Sequence, residues 1–268
     1  MNVTRILTGV IGFPIVVLVL VLGNEILIDV AFAIIAAMSL HEYYKCFKEK
    51  AKPVTWLGYV ACSLIAFIHI IPSEYLMHII GIVIPIFMLI LFFQVIYSNM
   101  KTNITDIAIT MLGICYIPLF LMFIPILRGL EKGTLLVWYI ILSAWGTDVF
   151  AYTVGKLIGK HKFSPISPNK TIEGCIGGVI GAIIMNLGYT WIINTFCQMS
   201  LNYIYIIGIT IILSLLSQLG DFAASSIKRY VGVKDFSNLI PGHGGMLDRI
   251  DSIIFIAPFA FYLLRLLV

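Results

Sequence analysis

The sequence predicts an all-α, polytopic integral membrane protein built as a helical bundle, and three observations lead to that prediction. First, 60% of the 268 residues are apolar and only 11% are charged, whereas soluble domains carry roughly 25% charged residues. Second, the mean hydropathy is +1.05. Third, the whole chain is made of apolar runs near the length of about 20 helical residues that crosses a bilayer core.

Nine apolar segments follow one another without a polar linker, so residues 1–268 are predicted to form a single membrane domain. The segments are Ile6–Leu22, Ile26–Leu40, Val54–Ile71, Leu76–Tyr97, Ile104–Leu127, Leu135–Leu157, Gly174–Ile193, Ile204–Tyr230 and Ile250–Leu267. The first two are short and close together, which fits a tight hairpin, a tilted pair or a shallow re-entrant unit. Pro118 and Pro125 predict a kink in the fifth, because proline removes a backbone hydrogen-bond donor.

The distribution of Lys and Arg predicts the orientation in the membrane. With nine spans, 14 of the 17 Lys and Arg residues share the side of the N-terminus, and Arg128, Lys132 and Arg265 lie on the other. Basic loops favour the cytoplasm, so the N-terminus and these loops are expected on the cytoplasmic face of a bacterial plasma membrane. At the outer end of the second segment, Asp29 is expected to be solvated. The net charge of +4 is modest, and no nucleic-acid partner is expected.

Charge within the predicted spans concentrates in the last four, so residues 1–134 are expected to be mainly scaffold and residues 135–268 catalytic. Asp148 lies deep in the sixth segment and Asp221 lies in the eighth. A carboxylate in such a position costs at least about 2.5 kcal/mol unless it is paired or bound to a metal. Each aspartate therefore either pairs structurally with a cation such as Lys228 or belongs to a functional site.

The stretch from Ser225 to Asp251 is polar in an otherwise apolar chain, and its spacing points to chemistry on phosphates. On a helix, Asp221, Ser225 and Lys228 would share one stripe. Asp248 and Asp251 would likewise share one face. Carboxylates hold hard cations, and Lys and Arg side chains neutralise phosphate oxygens. The pattern therefore predicts a Mg²⁺-assisted reaction on phosphates.

Three further features of the sequence are candidates for a role in such a site. Residues 167–171 supply hydroxyl, amide and ammonium donors just before a predicted helix, and helix N-termini favour anions. They form either a phosphate cradle or a solvated loop in which Thr171 caps the helix and Glu173 lies in its first turn. The glycines within residues 174–181 are expected to allow close helix packing. His243, in a glycine-rich turn, could bind phosphate, carry a proton or only shape the turn.

Three groups of residues carry a family resemblance. They are Ser226-x-x-Arg229 with Lys234-Asp235 and Leu239-Ile240-Pro241-x-His243-Gly244-Gly245-x-Leu247-Asp248-Arg249-x-Asp251; Ser167-Pro168-Asn169-Lys170-Thr171-x-Glu173-Gly174; and Gln218-x-Gly220-Asp221. Together they strongly resemble the motifs of CDP-diacylglycerol synthases, also called phosphatidate cytidylyltransferases. All three groups lie in the second half of the chain, and the first half resembles that family only in hydropathy and length.

The resemblance implies a membrane-embedded homodimer that converts CTP and phosphatidic acid into CDP-diacylglycerol and pyrophosphate with Mg²⁺. One or two cations would be held by Asp221 and Asp248, with Asp148 and Asp251 as further candidates. The groups expected to bind the CTP phosphates and the phosphatidate head group are Lys170, Lys228, Arg229, Lys234 and Arg249, and those expected to orient them are Asn169, Ser225 and His243. Those expected to be catalytic are Asp221, Asp248, Lys228 and Arg249.

Three other classes of protein share part of this pattern. A transporter would use Asp148 and Asp221 as ion or proton sites, but the charges gather at one predicted face and the sequence shows no inverted repeat. A CDP-alcohol phosphatidyltransferase would need an aspartate-rich helix that this sequence lacks. A CTP-dependent polyprenol kinase relative would release CDP instead of pyrophosphate.

Overall fold

The computed structural model describes residues 14, 16–164, 166–239 and 244–267, and they are predominantly helical. The helices are α1 Glu25–Phe47, α2 Thr55–Ile65, α3 Ser73–Tyr97, α4 Ile104–Tyr116, α5 Pro118–Leu121, α6 Phe123–Arg128, α7 Gly133–Ile158, α8 Ile172–Phe196, α9 Tyr203–Val231 and α10 Leu247–Leu264. Short 3-10 helices occur at Ile68–Ile70 and Arg265–Leu267. Strands β1 Lys162–Ser164 and β2 Ser167–Thr171 form an antiparallel hairpin.

Seven helical stretches among the described residues are long and apolar enough to cross a membrane. They are Glu25–Phe47, Glu74–Tyr97, Ile104–Arg128, Gly133–Ile158, Ile172–Phe196, Tyr203–Val231 and Leu247–Leu267. Each overlaps one of the predicted segments, which confirms a polytopic helical membrane protein. The predicted third segment contains α2, a shorter apolar helix of 11 residues. Most of the predicted first segment, Ile6–Leu22, lies outside the described residues.

The predicted kink in the fifth segment is confirmed, because that segment is divided into α4, α5 and α6. Pro118 is the first residue of α5, where a missing N–H is tolerated. Pro125 cannot donate to the carbonyl four residues earlier, which belongs to Leu121, the last residue of α5. The two prolines therefore account for the two breaks in this span.

The chain separates into two compact units. The first comprises residues 1–126 and 231–249, and the second comprises residues 127–230 and 250–268. Helix α10 begins in the first unit and continues in the second. The expectation that the whole chain behaves as one domain stays a prediction.

In the first unit, apolar residues of α2, α3 and α4 pack into a core that includes Leu57, Leu91 and Ile107. Buried Asp106 fixes the loop that leads into α2. Its side chain closes a capping box at the start of α4 and also accepts a 2.6 Å hydrogen bond from the backbone N–H of Lys52. Asp106 therefore links the loop before α2 to the start of α4.

The expectation that Asp29 is solvated is wrong. Its side chain is only 1% exposed, and its carboxylate oxygens lie 2.7 Å from Nδ1 and 3.0 Å from the backbone N of His69. The 3-10 helix Ile68–Ile70 places His69 against α1, and the histidine supplies the hydrogen bonds that a buried carboxylate requires.

In the second unit, α7 and α8 pack closely through glycines, as predicted. A Cβ on Gly177 would lie 2.6 Å from Cβ of Val154, and a Cβ on Gly178 would lie 2.8 Å from the carbonyl oxygen of Thr147. Buried hydrogen bonds extend this packing to α9. Asn186 Nδ2 donates to the hydroxyl oxygens of Ser143 and Thr210 at 2.9 and 3.1 Å. The three helices thereby form a fixed frame for the charged ends of α7 and α9.

Candidate active site

The β1–β2 hairpin connects α7 to α8 and fixes the start of α8. Thr171 caps α8 by accepting a 3.1 Å hydrogen bond from the backbone N–H of Gly174, as one of the two interpretations predicted. Glu173 accepts from the backbone N–H of Lys160 at 3.1 Å and lies 2.5 Å from Nδ1 of His161. The segment is therefore a hairpin tied to the first turn of α8. Its use as a phosphate cradle stays a prediction.

Lys170 of this hairpin lies against the C-terminal part of α9. Its ammonium forms an ion pair with the carboxylate of Asp221 and lies 4.3 Å from the ring centroid of Phe222. The Phe222 ring also stacks on Phe163 of β1, with centroids 4.8 Å apart and planes 23° apart. Aromatic stacking and a cation over a ring face both stabilise such an arrangement. The hairpin therefore holds one ammonium group beside the Asp221 carboxylate.

The predicted stripe on α9 is confirmed as a feature of the helix. Asp221, Ser225 and Lys228 all lie within Tyr203–Val231, at the helical spacing that places them on one side. All three are partly buried. Arg229, the next residue, is exposed and its Nε donates to the carbonyl oxygen of Ile166 in the hairpin turn at 3.4 Å. Cationic and acidic side chains thus lie together in the C-terminal part of α9.

Asp251 adds a third carboxylate from α10. It is 8% exposed, and it interacts electrostatically with Asp221 and Asp148 as well as with Lys228. A close approach of the helices permits this, because a Cβ on Gly220 would lie 2.8 Å from the carbonyl oxygen of Asp251. We call Asp148, Lys170, Asp221, Lys228 and Asp251 the charged cluster. All five belong to the second unit.

The composition of the charged cluster suits a divalent cation. In their ionised forms, three carboxylates against two ammonium groups leave one excess negative charge. Among the described residues, however, no three His, Cys, Asp or Glu side chains form a ready set of metal ligands. Mg²⁺ usually takes one or two carboxylates from the protein and the rest of its ligands from substrate phosphates and water. The carboxylates present therefore fit a cation that arrives with a phosphate substrate.

Asp248 belongs to the first unit and holds a loop together. Its Oδ2 accepts hydrogen bonds from the backbone N–H of Phe236 at 2.9 Å and of Gly245 at 3.1 Å. Gly244 adopts a positive φ of +80°, which favours glycine, directly before this contact. The sequence predicted Asp248 as a metal ligand and catalytic group, and the structure shows it bonded to the loop that precedes α10.

A second carboxylate that the sequence analysis did not single out contacts the same loop. Glu42 of α1 is 3% exposed and accepts hydrogen bonds from Ser237 Oγ, from Met246 N and from Leu247 N. In the sequence Glu42 follows the predicted segment Ile26–Leu40 in a polar stretch, so hydropathy gave no signal for its burial. The other predicted substrate-binding and catalytic residues lie at the surface or outside the described residues. Asn169, Lys234 and Arg249 are exposed, and His243 lies outside the described residues.

Comparison with known proteins adds independent evidence. Residues 3–267 match the model of the cytidylyltransferase family. A Bacillus subtilis (strain 168) protein named phosphatidate cytidylyltransferase is 35% identical over 270 residues, which cover 98% of this chain and 97% of that protein. Proteins of the same name from Staphylococcus aureus (strain COL) and Staphylococcus haemolyticus (strain JCSC1435) are 41% and 40% identical over 162 and 170 residues. These alignments cover 60% and 63% of both chains.

Proposed function

Because the chain belongs to the cytidylyltransferase family, we propose that it is a phosphatidate cytidylyltransferase acting within a membrane. It converts CTP and phosphatidic acid into CDP-diacylglycerol and pyrophosphate. A phosphate oxygen of phosphatidic acid attacks the α-phosphorus of CTP, and the bond between that phosphorus and the oxygen bridging to the β-phosphate breaks. Pyrophosphate leaves with the electron pair of that bond.

Within the structure, the charged cluster is the observation that supports this proposal. The attacking oxygen already belongs to an anionic phosphate, so the protein has no need to supply a nucleophile. Its task is to neutralise charge and to hold the two phosphates in line. Lys170 and Lys228 are partly buried ammonium groups that can bind phosphate oxygens. Arg229 is an exposed cation of the same unit that can contribute an outer contact, and Lys234 and Arg249 stay predicted phosphate-binding groups.

The proposal includes Mg²⁺, with one or two cations held at the site. Asp221 and Asp251 are the first choices as protein ligands, with Asp148 beside them. Bound there, the metal would supply Lewis-acid stabilisation of the charge on the phosphates. In the structure Lys170 neutralises Asp221, so this lysine is already placed next to the carboxylate where the phosphates would gather. The prediction that Asp248 is a further ligand has to allow for its two bonds to backbone N–H groups.

The location and assembly of the enzyme form a separate part of the proposal. The excess of Lys and Arg on one predicted side supports a cytoplasmic position for the charged loops in a bacterial plasma membrane. CTP would then reach the cluster from the cytoplasm, while phosphatidic acid would arrive laterally with its acyl chains in the bilayer. We also propose a homodimer, which the family resemblance implies.

The proposal is tested with the purified full-length chain in detergent or lipid, supplied with CTP, Mg²⁺ and phosphatidic acid. We expect pyrophosphate release that depends on phosphatidic acid and equals the amount of CDP-diacylglycerol formed. Formation of CDP with a lipid alcohol as acceptor would favour a kinase. No turnover of CTP with any lipid would contradict the proposal and leave the transporter hypothesis.

A further inference from the structure

Glu42 lies far from the motifs in the sequence, yet it binds directly to one of them. Its Oε1 accepts a 2.6 Å hydrogen bond from the Ser237 hydroxyl and a 2.9 Å bond from the backbone N–H of Met246. Its Oε2 accepts a 2.9 Å bond from the backbone N–H of Leu247, the first residue of α10. All of these residues belong to the first unit.

The charge of Glu42 is compensated by a helix end. Among the ion pairs of the described residues, none involves Glu42, and a buried carboxylate without hydrogen bonds or a counter-charge is strongly unfavourable. The first N–H groups of a helix have no partner within that helix, and they carry partial positive charge. Glu42 satisfies two such groups at Met246 and Leu247. It therefore acts as a cap for α10 that comes from α1.

The glycine motif before α10 is shaped by this carboxylate. A Cβ on Gly245 would overlap with the carboxylate of Glu42, so a larger residue at this position would displace that carboxylate from its hydrogen bonds. The N–H of the same glycine donates to Asp248 Oδ2 at 3.1 Å. Gly245 is thus held between two carboxylates, one from α1 and one from the first turn of α10.

We infer that Glu42 is a positioning residue for cytidylyl transfer, an inference that rests on the proposed function. It holds Ser237, Met246 and the start of α10 in place, and through them the geometry at Asp248 and Arg249. Both of its oxygens are engaged by the protein, so its role is exerted through these residues and not through contact with substrate. The same bonds remove the N–H groups of Met246 and Leu247 from the groups that could bind a phosphate.

The test compares Glu42→Gln and Glu42→Asp with Glu49→Gln, an exposed carboxylate beyond the end of α1. Glutamine replaces one acceptor oxygen with a donor that faces backbone N–H groups. We expect its kcat to fall about 10- to 100-fold, the scale of a small misplacement of catalytic groups, with a smaller rise in KM for CTP. Aspartate keeps the charge and should recover part of kcat. The Glu49→Gln variant should match the unmodified enzyme.

A milder variant keeps the inference falsifiable if Glu42→Gln fails to fold. Ser237→Ala removes a partly exposed hydroxyl that donates to Glu42 and accepts from the backbone N–H of Leu239, and it should lower kcat severalfold. In the double variant the two losses should be less than additive, because both changes release the same loop. A folded Glu42→Gln protein with unmodified kcat and KM would overturn the inference. So would unmodified kinetics in Ser237→Ala together with no recovery in Glu42→Asp.

A readout independent of activity separates this inference from the proposed function. Chymotrypsin cleaves after Phe and Leu, and Phe236 and Leu239 lie on either side of Ser237 in the sequence. If the unmodified chain does not convert phosphatidic acid, the proposed function fails, and the loop is then judged by limited proteolysis. Faster cleavage there in Glu42→Gln than in Glu49→Gln would support loop positioning by Glu42. Equal rates would contradict it.

Discussion

At the scale of single residues, the ion pair between Lys170 and Asp221 sets the charge that the second unit offers to a ligand. The two side chains are 23% and 30% exposed, so a phosphate and a cation could both reach the pair. Asp251 is more deeply buried beside them and interacts with Asp221 and Lys228. A site of this kind can exchange an internal ion pair for contacts with a substrate and its metal.

This arrangement predicts the behaviour of Asp221→Asn. The change keeps the shape of the side chain but removes the charge that pairs with Lys170 and that would bind a cation. We expect the rate of cytidylyl transfer to fall about 100-fold or more, the scale seen when one preorganised electrostatic contact to a transition state is lost. The measurement is phosphatidate-dependent pyrophosphate release.

The matched control is Glu131→Gln, which removes an exposed carboxylate near the start of α7. It should leave the rate unchanged. Turnover close to normal in Asp221→Asn, with normal insertion in the membrane, would remove Asp221 from the reaction.

Single residues also show where prediction from sequence succeeds and where it fails. The intramembrane positions of Asp148 and Asp221 marked them as unusual, and Asp221 is indeed paired with a cation. Asp29 was misjudged because its partner, His69, is brought to it by a 3-10 helix 40 positions later. Glu42 was missed because its partners lie about 200 positions away. Hydropathy identifies a costly carboxylate, but its partner depends on tertiary contacts.

At the scale of elements, the pairing of α7 and α8 depends on glycines that allow the helices to approach closely. A side chain at Gly178 would meet the backbone of α7, since its Cβ would lie 2.8 Å from the carbonyl oxygen of Thr147. Gly188 lies on the same helix with nothing within 4 Å of the corresponding position. Gly178 is therefore packed against α7, whereas Gly188 of the same helix faces open space.

The glycine contrast gives a stability prediction. Gly178→Leu should lower the free energy of unfolding by about 1–3 kcal/mol, the usual effect of overpacking a close contact. Gly188→Leu should be neutral or slightly stabilising, because leucine favours helix over glycine. Thermal unfolding in one detergent measures both. Equal losses of stability in the two variants would show that the α7–α8 contact is not the cause.

Elements differ in how well the sequence predicts them. Long helices are set by runs of apolar residues, so the segment predicted at Ile204–Tyr230 is observed as Tyr203–Val231. The hairpin β1–β2 was predicted only as a loop, because its strands have three and five residues and are rich in polar groups and proline. The hairpin is held in place by contacts with α9, such as the stacking of Phe163 on Phe222. Those contacts have no local sequence signal.

At the scale of the whole molecule, composition alone fixes the membrane character, and the two compact units are a property of the folded chain. Residues 231–249 join the first unit although they follow the last part of α9 in sequence. The division into a scaffold half and a catalytic half stays a prediction, and its boundary at residue 134 differs from the boundaries of the compact units. Glu42 links the two parts of the sequence, since a helix of the predicted scaffold caps the start of the helix that carries Asp248.

The role proposed for Mg²⁺ makes a prediction for the whole enzyme. Because the described residues contain no ready set of three metal ligands, the cation should act with substrate and not as part of the folded frame. Removal of divalent cations with EDTA should abolish turnover, and added Mg²⁺ should restore it. The midpoint of thermal unfolding without CTP should stay the same. Full turnover in EDTA would contradict the proposed role of the metal.

The most direct test of the central claim follows the two ends of the CTP triphosphate separately. The unmodified chain is supplied with phosphatidic acid, Mg²⁺ and CTP labelled with ³²P at either the α- or the γ-phosphate. Cytidylyl transfer predicts that the α-label enters the lipid fraction and the γ-label leaves as pyrophosphate. If the γ-label enters the lipid, or if neither label does, the chain is not acting as a phosphatidate cytidylyltransferase.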